Sequence, residues 1–197
     1  MALTYTKGDI IETFKSYEGK ICLLHQCNCN FKISNRHGAG VALLIATTFP
    51  EMVEAESLAI RLRPENFFFG TIFYFEPLKD KFIINLFSQK KFGSPEGLFD
   101  DYILYGSTEE ILKQPNQAHL SDTFSDRCGA LIKAVKHFKN NFDNSHKVLI
   151  PLIASGLAKH RSKSNMNDFV YFLTHIAPII NHILIGYDVN VVVYKKK

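Results

Sequence analysis

Residues 20–50 read KICLLHQCNCNFKISNRHGAGVALLIATTFP, and the fold follows from how this stretch divides. Ile21 to Leu24 is apolar and β-prone, His25 to Asn30 is a polar strand end, and an irregular loop leads to Gly38-Ala39-Gly40. An apolar helix then runs to a stop at Phe49-Pro50. Strand, glycine turn and helix in that order bring unpaired backbone N–H groups and the positive end of a helix dipole to the carboxyl edge of a sheet, where a phosphate can be held without a lysine. The same turn can serve only to reverse the chain. What favours a ligand is the cluster of His25, Asn28 and Asn30 on a strand too apolar to need them.

Composition bounds the alternatives. A chain of 197 residues with 46% hydrophobic content can bury one full core and requires no second domain, so residues 1–197 read as one unit. Seventeen Phe and no Trp speak for a packed α/β interior and against disorder. Cys22, Cys27, Cys29 and Cys128 are too few for a disulfide framework, and C-N-C is too tight for the usual zinc spacing, so they read as buried thiols in a reducing compartment. No metal and no cofactor is expected. The opening MALTYTKGDI lacks a basic region followed by an apolar run, and no window approaches a membrane span. These features predict a cytoplasmic protein, with the nucleus left open. The formal charge of +4 includes the basic tail Lys195 to Lys197; it suits an anionic ligand and is too slight to argue for nucleic acid.

Outward from the central stretch, Leu3 to Thr6 reads as a strand ending at Lys7-Gly8-Asp9-Ile10. The Asp9 carboxylate could accept from an exocyclic amine or cap the next segment. Glu51 to Leu62 reads as a helix. Gly70 to Glu76 and Lys81 to Phe87 read as strands joined by a turn at Pro77 to Asp80, and Ser88 to Pro95 as a polar loop on the ligand edge. Residues 100–122 mix turn formers with aromatics and suggest an ordered surface excursion with a short helix at Thr108 to Lys113. Ser125 to Asn141 is amphipathic, Lys147 to Ala154 a strand, Ser155 to Arg161 a loop at its end, Asn167 to Ile183 a helix kinked by Pro178, and Asp188 to Tyr194 the closing strand. The alternation is that of a three-layer α/β domain with helices on both faces of a mixed, mostly parallel sheet.

Five elements in order carry a resemblance: K-G-D-I at Lys7 to Ile10, H-Q-C-N-C-N at His25 to Asn30, G-A-G-V-A at Gly38 to Ala42, T-F-P-E at Thr48 to Glu51, and I-P-L-I-A-S-G-L at Ile150 to Leu157. Together they resemble the macro domain family, and the histidine element is similar to the branch that acts as ADP-ribose 1''-phosphate phosphatases. The resemblance implies that Asp9, with the backbone of Ile10, meets the adenine and that Asn28 meets the distal ribose. It further implies that Gly38, Ala39, Gly40 and Val41 wrap the diphosphate, that Ser155, Gly156, Leu157 and Ala158 cover it from the other side, and that Phe92 packs near the distal end. The implied partners are ADP-ribose or its 1''-phosphate, or an ADP-ribosylated protein, with no membrane partner.

His25 is the implied catalytic residue. An imidazole titrating near neutrality at the distal ribose could protonate the leaving oxygen, activate water or attack phosphorus, and the residues do not choose among these. Its alternative is a strand-end histidine with a satisfied hydrogen bond. His37 and His160 are secondary candidates that read as solvated loop residues. Lys90 and Lys91 stand where a related de-ADP-ribosylating branch carries its nucleophile, but Ala158 occupies the position where that branch needs an aspartate. Lys32 and Arg36, in a long loop from Cys29 to His37, could add charge contacts to a phosphate. Phosphatase, non-catalytic ADP-ribose reader, ADP-ribosyl hydrolase and a nucleic-acid-binding domain using the basic loops are the readings that remain. The last predicts steep salt dependence.

Overall fold

The computed structural model describes residues 3–29, 37, 40–63, 69–89, 123–153, 163 and 165–194. Strand β1 (Thr4–Gly8) leads through Asp9 into helix α1 (Ile10–Ser16), followed by β2 (Ile21–Asn28), α2 (Gly40–Thr48), α3 (Pro50–Leu62), β3 (Ile72–Leu78) and β4 (Lys81–Gln89). Helix α4 (Phe124–Asn141), β5 (Lys147–Ile150), α5 (Asp168–Tyr171), a π-helical stretch (Phe172–Ile176), α6 (Ala177–Ile183) and β6 (Val189–Tyr194) complete it. The six strands form one sheet in the order β1-β6-β5-β2-β4-β3. Every pairing is parallel except that of β3 with β4.

Burial explains this order. Seven of the eight β2 residues are buried and only Gln26 is half-buried, as a parallel strand covered on both faces requires. Alternate residues then supply two different cores. Ile21 and Leu23 join Ile83, Leu149 and Val192 under Phe14 of α1, Ile45 of α2 and Met52 of α3. Cys22 and Leu24 join Ile84, Leu86, Val148 and Val191 under Leu131, Val135 and Phe138 of α4 and Ile180 of α6. Helices therefore cover both faces, which is the expected three-layer arrangement. The edge strands read differently: β1 is exposed from Thr4 to Lys7, and β3 alternates half-buried and exposed residues beyond Ile72.

Several boundaries differ from expectation for local reasons. Helix α1 was not foreseen; it begins because Asp9 Oδ1 accepts from Ile11 N (2.8 Å) and Glu12 N (3.2 Å), the capping role of that carboxylate. Strand β3 runs through Pro77 to Leu78, which an edge strand tolerates, and a two-residue turn at Lys79-Asp80 replaces the longer one. Asp80 takes the left-handed conformation (φ 60°), and its N–H donates to Glu76 Oε1 at 2.8 Å. Strand β5 ends at Ile150, because Pro151 has no N–H to continue the ladder. Pro178 likewise cannot donate to the Thr174 carbonyl, and the chain widens just before it into the π-helical stretch, with Ala177 N donating to Phe172 O. No helix among the described residues is long and apolar enough to cross a membrane.

Candidate functional site

Parallel pairing brings the ends of β1, β2, β4, β5 and β6 to one edge of the sheet. Asp9 stands exposed just beyond β1, Asn28 is buried as the last residue of β2, and Gly40 begins α2. The cap formed by Asp9 uses Ile11 and Glu12, so the Ile10 N–H lies outside it, while the Ile10 side chain is buried in the core beneath α1. Val41 is half-buried in the first turn of α2. Gly38, Ala39, Phe92, Ser155, Gly156, Leu157 and Ala158 lie outside the described residues, as do Lys90, Lys91 and His160.

Below this edge lies a polar chain within the apolar interior. His25 and Asn85 are directly paired across β2 and β4, on the sheet face that carries Leu23 and Ile83 and is covered by α3. His25 Nε2 and Asn85 Oδ1 are 2.6 Å apart, and Asn85 Nδ2 donates to Glu56 Oε1 at 2.7 Å. The second carboxylate oxygen, Oε2, accepts from His37 Nε2 at 2.9 Å. All four side chains are buried, and Glu56 and Asn85 have no exposure at all. The rings of His25 and His37 are 6.3 Å apart. Cys27 Sγ, a weak partner, lies 3.6 Å from His25 Nδ1 and 3.8 Å from its Nε2. His37 Nδ1 is buried and has no hydrogen-bond partner among the described residues, which costs about 1–3 kcal/mol while it stays so.

Burial pushes the His25 imidazole down to about 4, helped by the neighbouring His37 and opposed by the Asn85 bond and the Glu56 carboxylate. The residue therefore does not titrate near neutrality, as its chemistry in the chain suggests, but stays neutral at physiological pH. It can accept a proton there and has none to spare as an acid. His37 also departs from expectation: it is 7% exposed and tied to Glu56, not a solvated loop residue. None of the four cysteines forms a disulfide; Cys22, Cys27 and Cys128 are buried as expected, with the thiols of Cys22 and Cys128 pushed up by burial, whereas Cys29 is only half-buried. No group of three or more His, Cys, Asp or Glu among the described residues could hold a metal ion.

A pH dependence follows with a definite sign. His25 titrates at about 4 when folded, against an unfolded value of roughly 6.5, so between those values the unfolded chain binds the proton and the folded chain does not. The stability is fully present above the unfolded value and drains as pH falls toward the folded one, by on the order of 3 kcal/mol. Asp143, held at about 2 chiefly by its bonds to Ser145, loses its own contribution at lower pH, below that window. The urea midpoint should fall between pH 7 and pH 4.5, and by clearly less in His25→Asn; equal falls in both would assign the effect elsewhere.

No family model matches the chain, and no curated protein matches its sequence. Solved structures do match its architecture. A protein of unknown function from Bacteroides thetaiotaomicron aligns at TM-score 0.62 and 18% identity over 98% of each chain. A macrodomain protein from Streptomyces coelicolor aligns at 0.58 and 17% over 99% of each, and the DarG macrodomain of Thermus aquaticus at 0.57 and 16% over 98% of each. The chain has the macrodomain fold.

Within this macrodomain fold, Asn85 and Glu56 are the residues that reading the sequence missed. The signal was present in both cases. Asn85 interrupts the apolar run Phe82 to Phe87, and Glu56 lies four residues after the buried Met52 and seven after the buried Phe49, on the inward stripe of the helix. A carboxylate at such a position must be met by donors, and those donors proved to be a strand asparagine and a loop histidine. Gly40 illustrates the reverse case. Its turn was expected either to hold a diphosphate or merely to reverse the chain; the φ of 61° is a backbone demand that favours glycine in either case, and an added Cβ would meet nothing within 4 Å. Gly40→Ala should therefore cost about 1–2 kcal/mol through backbone strain without a packing clash, measurable as a lower urea midpoint.

Proposed function

We propose that the protein binds ADP-ribose at the carboxyl edge of its sheet and hydrolyses ADP-ribose 1''-phosphate to ADP-ribose and phosphate. The observation that carries this reading is the coincidence of three groups with the ligand they would serve. An exposed carboxylate, Asp9, stands beyond β1 for the adenine amine; Gly40 opens α2, whose first turn would serve the diphosphate; and a histidine without a charge, His25, lies on β2 at the centre of the sheet. Gly38, Ala39 and Gly40, with Val41, would supply main-chain N–H groups to the diphosphate, and Ser155 to Ala158 would close over it. Asn28 would hold the distal ribose and Phe92 would pack beside it.

In this proposal His25 acts as the base. Its bare nitrogen takes a proton from water as the water oxygen bonds to phosphorus; the bond from phosphorus to the ribose 1'' oxygen breaks, and the proton is returned to that oxygen. Held neutral at physiological pH, His25 enters the reaction with an unprotonated nitrogen, so it acts first as a base and donates only the proton it has accepted. One observation supports a second reading, that of a reader without turnover: His25 is 1% exposed and already hydrogen-bonded. Binding and turnover separate the two.

Calorimetric titration with ADP-ribose should give micromolar affinity, about −8 kcal/mol. Asp9→Ser isolates the adenine contact, since serine keeps the helix cap and removes the carboxylate. The variant should lose roughly 1–3 kcal/mol of ADP-ribose affinity with almost unchanged thermal stability. If millimolar ADP-ribose produces no heat in the wild type, the ligand is wrong; if steep salt dependence with nucleic acid appears instead, the basic loops are the interface.

A further inference from the structure

We propose that the buried carboxylate of Glu56 orients two histidines at once, His37 directly and His25 through Asn85, so that both turn Nδ1 away from the chain and His37 Nδ1 takes a hydrogen bond from the distal end of the bound ligand. The direction of the chain is forced by what its ends can do. A carboxylate only accepts, so the Asn85 group facing Glu56 is the amide nitrogen, and the group facing His25 is then the carbonyl oxygen. An amide oxygen also only accepts, so His25 carries its proton on Nε2. By the same argument His37 donates through Nε2 to Glu56. One acceptor with two oxygens therefore fixes two rings, because a carboxylate that holds the proton on one imidazole nitrogen leaves the other nitrogen to face a ligand.

The second observation is the state of the free nitrogens. His25 Nδ1 has the weak Cys27 thiol at 3.6 Å, shared with Nε2 at 3.8 Å, and His37 Nδ1 is buried with no partner among the described residues. A buried polar nitrogen with no partner among the described residues, three residues before Gly40 opens α2 and in a ring 6.3 Å from that of His25, is suited to accept a hydrogen bond from a ligand. The distal ribose hydroxyls of the proposed ligand are donors of the right type. Among the described residues, the charged and titratable groups about this pair are His25 and Cys27 from β2 and Glu56 from α3, with Asn85, uncharged, from β4. On this view Glu56 and Asn85 are positioning residues, and the ligand role of His37 rests on the function proposed above.

Long-range proton–nitrogen correlation spectra of the imidazoles decide it in the full chain. In the free protein both His25 and His37 should show a protonated Nε2, and in Glu56→Gln at least one should move its proton or lose its single state, because a glutamine oxygen and amide cannot accept on both sides. Should that variant not fold, His37→Phe should leave the Nε2 proton of His25 in place, since the Asn85 branch survives. Saturation with ADP-ribose should shift His37 Nδ1, and His37→Phe should weaken ADP-ribose binding by about 5- to 50-fold, in the range of one hydrogen bond. Protons on Nδ1 in the free wild type would overturn the orienting role of Glu56 whatever the ligand proves to be. Calorimetric saturation with an unmoved His37 Nδ1 would overturn its ligand role and leave the proposed function standing. Failure of ADP-ribose to bind would remove both the proposed function and the ligand role of His37, while the free-protein spectra would still decide whether Glu56 orients the pair.

Discussion

His25→Ala is expected to lower phosphate release from ADP-ribose 1''-phosphate by on the order of 10² to 10⁴, with ADP-ribose affinity changed by less than about 1 kcal/mol. The separation follows from where the residue would act. Phosphate-monoester hydrolysis has a very high uncatalysed barrier, and a base that accepts a proton only as the transition state forms contributes to the rate and little to product binding. The neutral state of His25 adds a second feature: turnover should persist at neutral pH and fall only as pH approaches the value of about 4 at which its imidazole is held. A coupled phosphate assay from pH 7 to pH 4.5, with calorimetry on the same samples, reads both. Near-full activity in the variant would make His25 a spectator and turn attention to His37 or His160; a wild type that binds without turnover would be a reader.

Glu56→Leu should have the largest effect on stability, a loss of roughly 3–5 kcal/mol. Leucine has nearly the volume to fill the space, so the cost lies in what is left behind. Asn85 Nδ2 and His37 Nε2 would lose their acceptor at sites with essentially no access to water, and the bond from Asn85 to His25 would lose its anchor. Denaturant unfolding should show a lower midpoint with little change in slope. Adding His25→Leu and Asn85→Leu to the same background should recover part of the loss, because it removes the branch that Glu56→Leu leaves unpaired through Asn85, with His37 the one member still lacking its acceptor. A Glu56→Leu protein as stable as wild type would mean that the chain is held by groups outside it.

Most of the architecture was legible because local patterns and layer packing agree. The continuous apolar run at Ile21 to Leu24, the helix that stops at Phe49-Pro50 and the alternating strand and helix segments can be satisfied together only by a parallel sheet with helices on both faces. What misled the reading was local competition: Asp9 starts a helix at once, Pro151 ends β5 early, and Pro77 sits within an edge strand that does not need its N–H. The π-helical stretch before Pro178 belongs to the same class, because a missing donor can be absorbed by more than one backbone geometry.

The sequence by itself determined the layers, the order of helices and strands and the presence of polar residues where a core strand does not want them, since these depend on periodicity and on residues near in the chain. Only the tertiary structure decided what those polar residues do. His25 meets Asn85 across 60 positions, Asn85 meets Glu56 across 29, and Glu56 meets His37 across 19. No periodicity encodes such a chain, because it exists only once parallel pairing has set the register of β2 against β4 and α3 has been laid over them. Desolvation in that assembled interior then moves His25 from a group that titrates near neutrality to one that stays neutral, a property of its surroundings that no reading of its neighbours in sequence contains.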